Sequence, residues 1–204
     1  MLFSQGRDPL AFLSTKNQGR KNVEKRTQIH GCIALITMLM VVMCSPARAE
    51  LVMPAYHSCF VAAGHKYQLS PLLLKGIALA ESSGVQTAKN LTHIKRTKTV
   101  DAGLMQINSS WFPLLEKEYG IKSDKLNDAC MSIDVGAWIL AHEFKKYGNT
   151  WEAVGAYNAA CTQLKGAACA KARQTYVWRV FKKMQMVEAT EKSTQDKQKE
   201  RGRS

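Results

Sequence analysis

Residues 70–84 read Ser-Pro-Leu-Leu-Leu-Lys-Gly-Ile-Ala-Leu-Ala-Glu-Ser-Ser-Gly. Ser70 is a helix N-cap residue, and Pro71 suits the first helical position, where its missing N–H leaves no bond unmade. Apolar side chains continue through Ala80, and Gly84 is a stop. At 3.6 residues per turn Leu73, Ile77 and Glu81 share one apolar stripe. A carboxyl on such a stripe either loses water, and then holds its proton to higher pH, or turns outward near the helix end. Position alone leaves both readings open.

The neighbouring segments are helical too. Pro54 opens a helix that runs to about Tyr67, and another runs from near Ser109-Ser110 to Gly120. Asp128 can cap a long helix with the stripe Cys130, Ile133, Ala137, Leu140 and Phe144, ended by Gly148. Asn149 with Glu152 reads as a capping box for a short helix from Thr150 to about Asn158. A last amphipathic helix spans roughly 170–187, and residues 188–204, with no apolar side chain beyond Ala189, read as a solvated, disordered tail. Between the helices, residues 85–102 are polar, Thr-rich and basic, which fits a loop or small β-hairpin. No internal repeat is present. The class is mainly α.

The chain has 204 residues, 46% of them apolar, enough for one packed domain and too apolar for a wholly disordered chain. Arg20, Lys21, Lys25 and Arg26 precede an uncharged run, Gly31 to Cys44, and then Ala47-Arg48-Ala49. Fourteen uncharged, mostly apolar residues before a small-x-small site predict a signal peptide over 1–49, whereas a membrane span needs about 20. The expectation is export to the periplasm with the mature chain starting at Glu50; retention of the segment as a membrane anchor is the alternative. Of the whole chain's net charge of +13, residues 50–204 keep 22 Lys/Arg against 14 Asp/Glu, a net +8. The excess points to an anionic partner. Nucleic acid is not expected, because no reading element or set of stacking aromatics accompanies the charge.

Cys59, Cys130, Cys161 and Cys169 remain after the signal. An even count in an exported chain predicts two disulfides, in one of three pairings. The short loop between Cys161 and Cys169 favours a local bridge, which leaves Cys59 for Cys130. Zinc is disfavoured, since no CxxC or spaced His pair is present.

Three short motifs resolve the ambiguity of Glu81. Ala80-Glu81-Ser82-Ser83, then Gly103-Leu104-Met105-Gln106-Ile107, then Ala156-Tyr157-Asn158-Ala159 resemble, in order and spacing, the signatures of soluble lytic transglycosylases, the goose-lysozyme-like (SLT) enzymes that cut peptidoglycan. The likeness covers about residues 55–160. With Asn108-Ser109-Ser110-Trp111 and Gly136-Ala137-Trp138 it is similar to the small transglycosylases of type IV secretion and conjugation machines. Gly84 stands where the first motif carries an aromatic, and Ala160 replaces the glycine that closes the third.

The resemblance implies a lysozyme-like single domain over 50–187, with Glu81 as the catalytic acid/base. It implies that Ser82, Gly103, Met105, Gln106, Tyr157 and Asn158 bind the glycan. It also implies cleavage of the β-1,4 bond between N-acetylmuramic acid and N-acetylglucosamine, closure of a 1,6-anhydro ring, and no metal or organic cofactor. The expected partners are peptidoglycan strands and components of a secretion or conjugation machine. A lysozyme-type hydrolase would need a second carboxylate, with Asp101 the best candidate and Asp134 and Glu143 behind it. A non-catalytic wall-binding scaffold is the other alternative. The basic residues His93, Lys95, Arg96 and Lys98 read either as a hold on peptide carboxylates or as a solvated loop.

Overall fold

The computed structural model describes residues 55–203, so the N-terminal segment 1–49 and Pro54 lie outside the described residues. Seven α-helices and three two-residue strands make up these residues: α1 (His57–Tyr67), α2 (Pro71–Ser82), β1 (Lys89–Asn90), α3 (Ile94–Thr97), β2 (Asp101–Ala102), β3 (Ile107–Asn108), α4 (Phe112–Tyr119), α5 (Ala129–Tyr147), α6 (Trp151–Asn158) and α7 (Gly166–Arg201). Short 3-10 turns, Ser109–Trp111 and Ser123–Asn127, lead into α4 and α5. The expected mainly helical domain is what forms.

Helix α2 is the centre. Ser70 caps it by accepting the Leu73 N–H, Pro71 sits in its first turn, and Ser83 ends it in a left-handed conformation. Leu73 through Leu79 are all buried, because α7 packs along one side while α1 and α5 cover others. A Cβ on Gly76 would lie 2.4 Å from Met184 of α7, so glycine sets how closely the two axes approach. The core around them includes Phe60, Ile77, Leu104, Met105, Ile133, Leu140, Val154, Tyr176 and Val180. Truncating such a side chain to alanine typically costs about 2–5 kcal/mol.

Residues 85–108 form a small antiparallel sheet in the order β1-β2-β3, with Asn90 opposite Asp101 and Asp101 opposite Asn108. The expected loop or hairpin therefore gains a third strand, supplied by Ile107–Asn108 at the end of the second motif. Cys59–Cys130 joins α1 to α5, and Cys161–Cys169 closes the loop between α6 and α7.

Two local expectations change. The α6 cap is Thr150, whose hydroxyl accepts the Ala153 N–H. Asn149 does not form the expected capping box, because Glu152 turns away to the guanidinium of Arg173. The last helix does not end near 187 but continues to Arg201. Its extension is rich in the helix formers Glu, Lys and Gln, and Glu191 is fastened to the buried Lys75 of α2, whose Nζ also lies 3.1 Å from His57 Nδ1. From Lys192 onward every described side chain is exposed, so the extension is solvated yet helical. Among the described residues no helix is long and apolar enough to cross a membrane.

Candidate active site

Glu81 lies in the last turn of α2, half-buried. Burial pushes its carboxyl up to about 7, and the negative charge of Asp101 adds to the rise. The Tyr176 hydroxyl, the Arg179 charge and the Asn158 amide favour the ionised form and hold the rise in check. The stripe reading of the sequence is therefore the correct one of its two alternatives. Near neutral pH this carboxyl is poised to give or take a proton.

The second motif is a tight turn bolted to its surroundings. Gly103 takes φ +81°, and a Cβ there would sit 2.2 Å from the Leu126 carbonyl oxygen, so only glycine fits. Gln106 also has positive φ, at 49°, and its side-chain amide donates to the carbonyls of Gly103 (2.8 Å) and Ala88 (3.0 Å). Ser82, next to Glu81, donates to the Leu104 carbonyl at 2.8 Å. The Met105 N–H donates to the Ser132 hydroxyl at 3.0 Å. From the third motif, the Tyr157 hydroxyl donates to the Met105 carbonyl at 2.9 Å. Burial raises the Tyr157 phenol well above its usual range, and Glu81 and Asp101 reinforce this, so it stays a donor.

Ser82, Gly103, Gln106 and Tyr157 are thus joined in one hydrogen-bonded unit around Glu81, spending their polar atoms on the backbone. Met105 departs from expectation. Its side chain is fully buried against Gly136 of α5, so it buttresses the turn and presents nothing to a glycan. Asn158 is the exposed member and acts directly on Glu81.

A sequence model of one protein family, the transglycosylase SLT domain, matches residues 58–176. This chain belongs to the transglycosylase SLT family. The match ends on Tyr176, a residue that acts on Glu81. The X polypeptide of Escherichia coli is 46% identical over 102 residues, which is 50% of this chain and 58% of that protein. The invasion protein IagB of Salmonella typhimurium is 37% identical over 139 residues, 68% of this chain and 84% of its own length. A peptidoglycan-binding-like protein of Escherichia coli O157:H7 is 38% identical over 109 residues, 52% of this chain and 65% of that one. An inactive mutant of the lytic transglycosylase Slt from Pseudomonas aeruginosa shares the fold, with a TM-score of 0.51 at 18% identity. That match covers 65% of this chain and 24% of the Slt chain.

Within this SLT domain the last helix adds residues that the motifs did not supply. Tyr176 and Arg179 both lie on α7, and the Arg179 guanidinium stands 5.1 Å from the Tyr176 ring centre. The Tyr176 hydroxyl is buried, and its proton favours the ionised form of Glu81. Its phenol, too, is raised well above the usual range by burial and by Glu81. The signal for Tyr176 was present in the sequence. It shares an apolar stripe with Val180, Met184 and Val187, as Glu81 does with Ile77.

Arg173, one turn before Tyr176, ties this helix to the third motif. Its guanidinium donates to the Ala159 carbonyl (3.0 Å), to Glu152 (2.5 Å) and to the Tyr147 hydroxyl (3.1 Å). Of the three candidate second carboxylates, Asp101 is the one whose charge reaches Glu81. Its oxygens accept from Asn108 (2.7 Å) and Asn90 (3.3 Å), and His93 Nε2 stands 3.5 Å away. Asp134 is bound instead to Lys66 (2.8 Å) and Tyr67 on α1.

Proposed function

We propose that this chain is a peptidoglycan lytic transglycosylase in which Glu81 serves as both acid and base. The observation that carries this reading is a carboxyl titrating near 7, set beside two phenols that stay protonated. Protonated Glu81 donates to the oxygen bridging N-acetylmuramic acid and N-acetylglucosamine, and the bond breaks through an oxocarbenium-like state. The carboxylate left behind is stabilised by Arg179, Tyr176 and Asn158. It then takes the proton of the muramic acid 6-hydroxyl, which closes on the anomeric carbon as a 1,6-anhydro ring. One carboxyl suffices for both steps because the nucleophile is tethered to the reacting sugar.

Asn158 contacts the glycan in this reading, while Ser82, Gly103, Gln106 and Tyr157 hold the geometry of the groove. The chain acts after export, in the periplasm, and opens the wall locally for an envelope-spanning secretion or conjugation apparatus. The name of its relative IagB, an invasion protein, is in keeping with such a role.

The test is mass spectrometry of the products released from purified sacculi by the chain and by Glu81→Gln. Anhydro-muramic ends that vanish in the variant are the expected result; equal release by both overturns the assignment. Reducing ends instead would point to a hydrolase with Asp101 as its second carboxylate, a reading favoured by that residue's electrostatic reach to Glu81.

A further inference from the structure

The lobe formed by β1, α3 and β2 carries a charge that nothing in the fold uses. Lys89, Lys95, Arg96 and Lys98 are exposed, and none makes an ion pair or side-chain hydrogen bond among the described residues. From Ser82 to Leu115 the chain has a single acidic residue, Asp101. That carboxylate is already engaged by Asn108, Asn90 and His93, so it does not neutralise the four cations. Two large apolar side chains stand among them: Leu91 is 55% exposed and Ile94 42%.

Water solvates the cations of this face but not the exposed Leu91 and Ile94 among them. The face matches a short anionic peptide bearing small aliphatic groups. The lobe is also part of the site: the Ala88 carbonyl accepts from the Gly103 N–H at 2.9 Å and from the Gln106 side chain, both in the motif beside Glu81. In the substrate of the proposed function, each muramic acid carries a peptide stem with free carboxylates, attached to the sugar whose bond is cleaved.

We propose that the Lys89–Lys98 lobe binds the carboxylates of the peptidoglycan peptide stem and makes the enzyme prefer stem-bearing glycan. This inference rests on the peptidoglycan reading of the active site. Lys95, Arg96 and Lys98 supply the charge, and Leu91 and Ile94 meet the aliphatic part of the stem.

The test compares product release from intact sacculi with release from sacculi stripped of their stems by an amidase. The triple variant Lys95→Ser, Arg96→Ser, Lys98→Ser lowers the intact-to-stripped rate ratio by about fivefold to tenfold, as three exposed charge contacts allow. The charge-keeping pair Lys95→Arg, Lys98→Arg retains the ratio. An unchanged ratio in the triple variant, or loss of its binding to anionic lipid vesicles with the ratio intact, overturns the proposal. Co-sedimentation with the two kinds of sacculi needs no turnover and separates this idea from the catalytic one. If neither the chain nor Glu81→Gln releases product, the catalytic reading fails. A preference for pelleting with intact sacculi that the triple variant loses still supports the lobe, and pelleting that ignores the stems refutes it.

Discussion

The Tyr157 hydroxyl donates to the Met105 carbonyl at 2.9 Å, joining two motifs 52 residues apart. The bond fixes the end of α6 against the turn that flanks Glu81. The third motif is thereby first a clamp on the second. Tyr157→Phe keeps the ring and leaves a buried carbonyl without its donor, which costs about 1–3 kcal/mol. Thermal unfolding should record a lower Tm, together with a fall in activity smaller than that of Glu81→Gln.

Glu81→Gln removes the transferable proton and lowers turnover by about 10²–10⁴-fold, read as the initial rate of release from sacculi. The same variant should be more stable than the wild type at alkaline pH. The folded carboxyl titrates near 7 and the unfolded one at 4.5. Between these values the folded chain keeps a proton that the unfolded chain has released, so wild-type stability falls as pH rises through that window. Above pH 7 the penalty is complete, and Glu81→Gln gains roughly 1–3 kcal/mol in denaturant titrations. Below about pH 4.5 the gain disappears.

Two neighbours move the pH profile in opposite directions. In the proposed mechanism activity requires protonated Glu81, so the rate should fall as pH rises through about 7. Arg179→Met removes a charge that favours the carboxylate, so the alkaline limb moves to higher pH. Asp101→Asn removes a charge that opposes ionisation, so the limb moves to lower pH. Rates measured across the pH range give both signs, and a shared direction would refute the electrostatic account.

Arg173 is the buried cation that ties α6 to α7. Arg173→Met keeps much of the stem packed on Gly155 but abandons Ala159, Glu152 and the Tyr147 hydroxyl. A loss of about 1–3 kcal/mol is expected in urea unfolding.

The two disulfides should differ in worth by the length of chain they close. Cys161–Cys169 spans 8 positions and Cys59–Cys130 spans 71. Loop-closure entropy assigns about 2–3 kcal/mol to the first and about 4 kcal/mol to the second. Paired Cys→Ser variants measured by denaturant unfolding test that order.

The helices around Glu81 were legible from residue order because their signals are local. Ser70 and Pro71 start α2, Gly120 ends α4 and Asp128 caps α5 within a few residues of the bonds they make. The periodicity of Leu73, Ile77 and Glu81 likewise announced a carboxyl on an apolar stripe. Local rules were weaker where two partners compete for one group. Glu152 could serve either a cap or Arg173, 21 positions away, and the distant guanidinium took it. The extension of α7 past 187 is not announced by any apolar stripe, because its anchor, Lys75 with Glu191, joins residues 116 positions apart.

The composition of the acid's surroundings is a tertiary matter. Motif order named Glu81, Tyr157 and Asn158, yet Tyr176 and Arg179 reach the carboxyl only once α7 lies along α2. Met105 looked available for substrate, and packing against Gly136 consumed it. Neighbours along the chain dictate helices, caps and stripes, since those interactions close within a turn or two. Which side chains meet across the core, and hence where a proton rests at neutral pH, depends on desolvation and on charges brought in from distant segments.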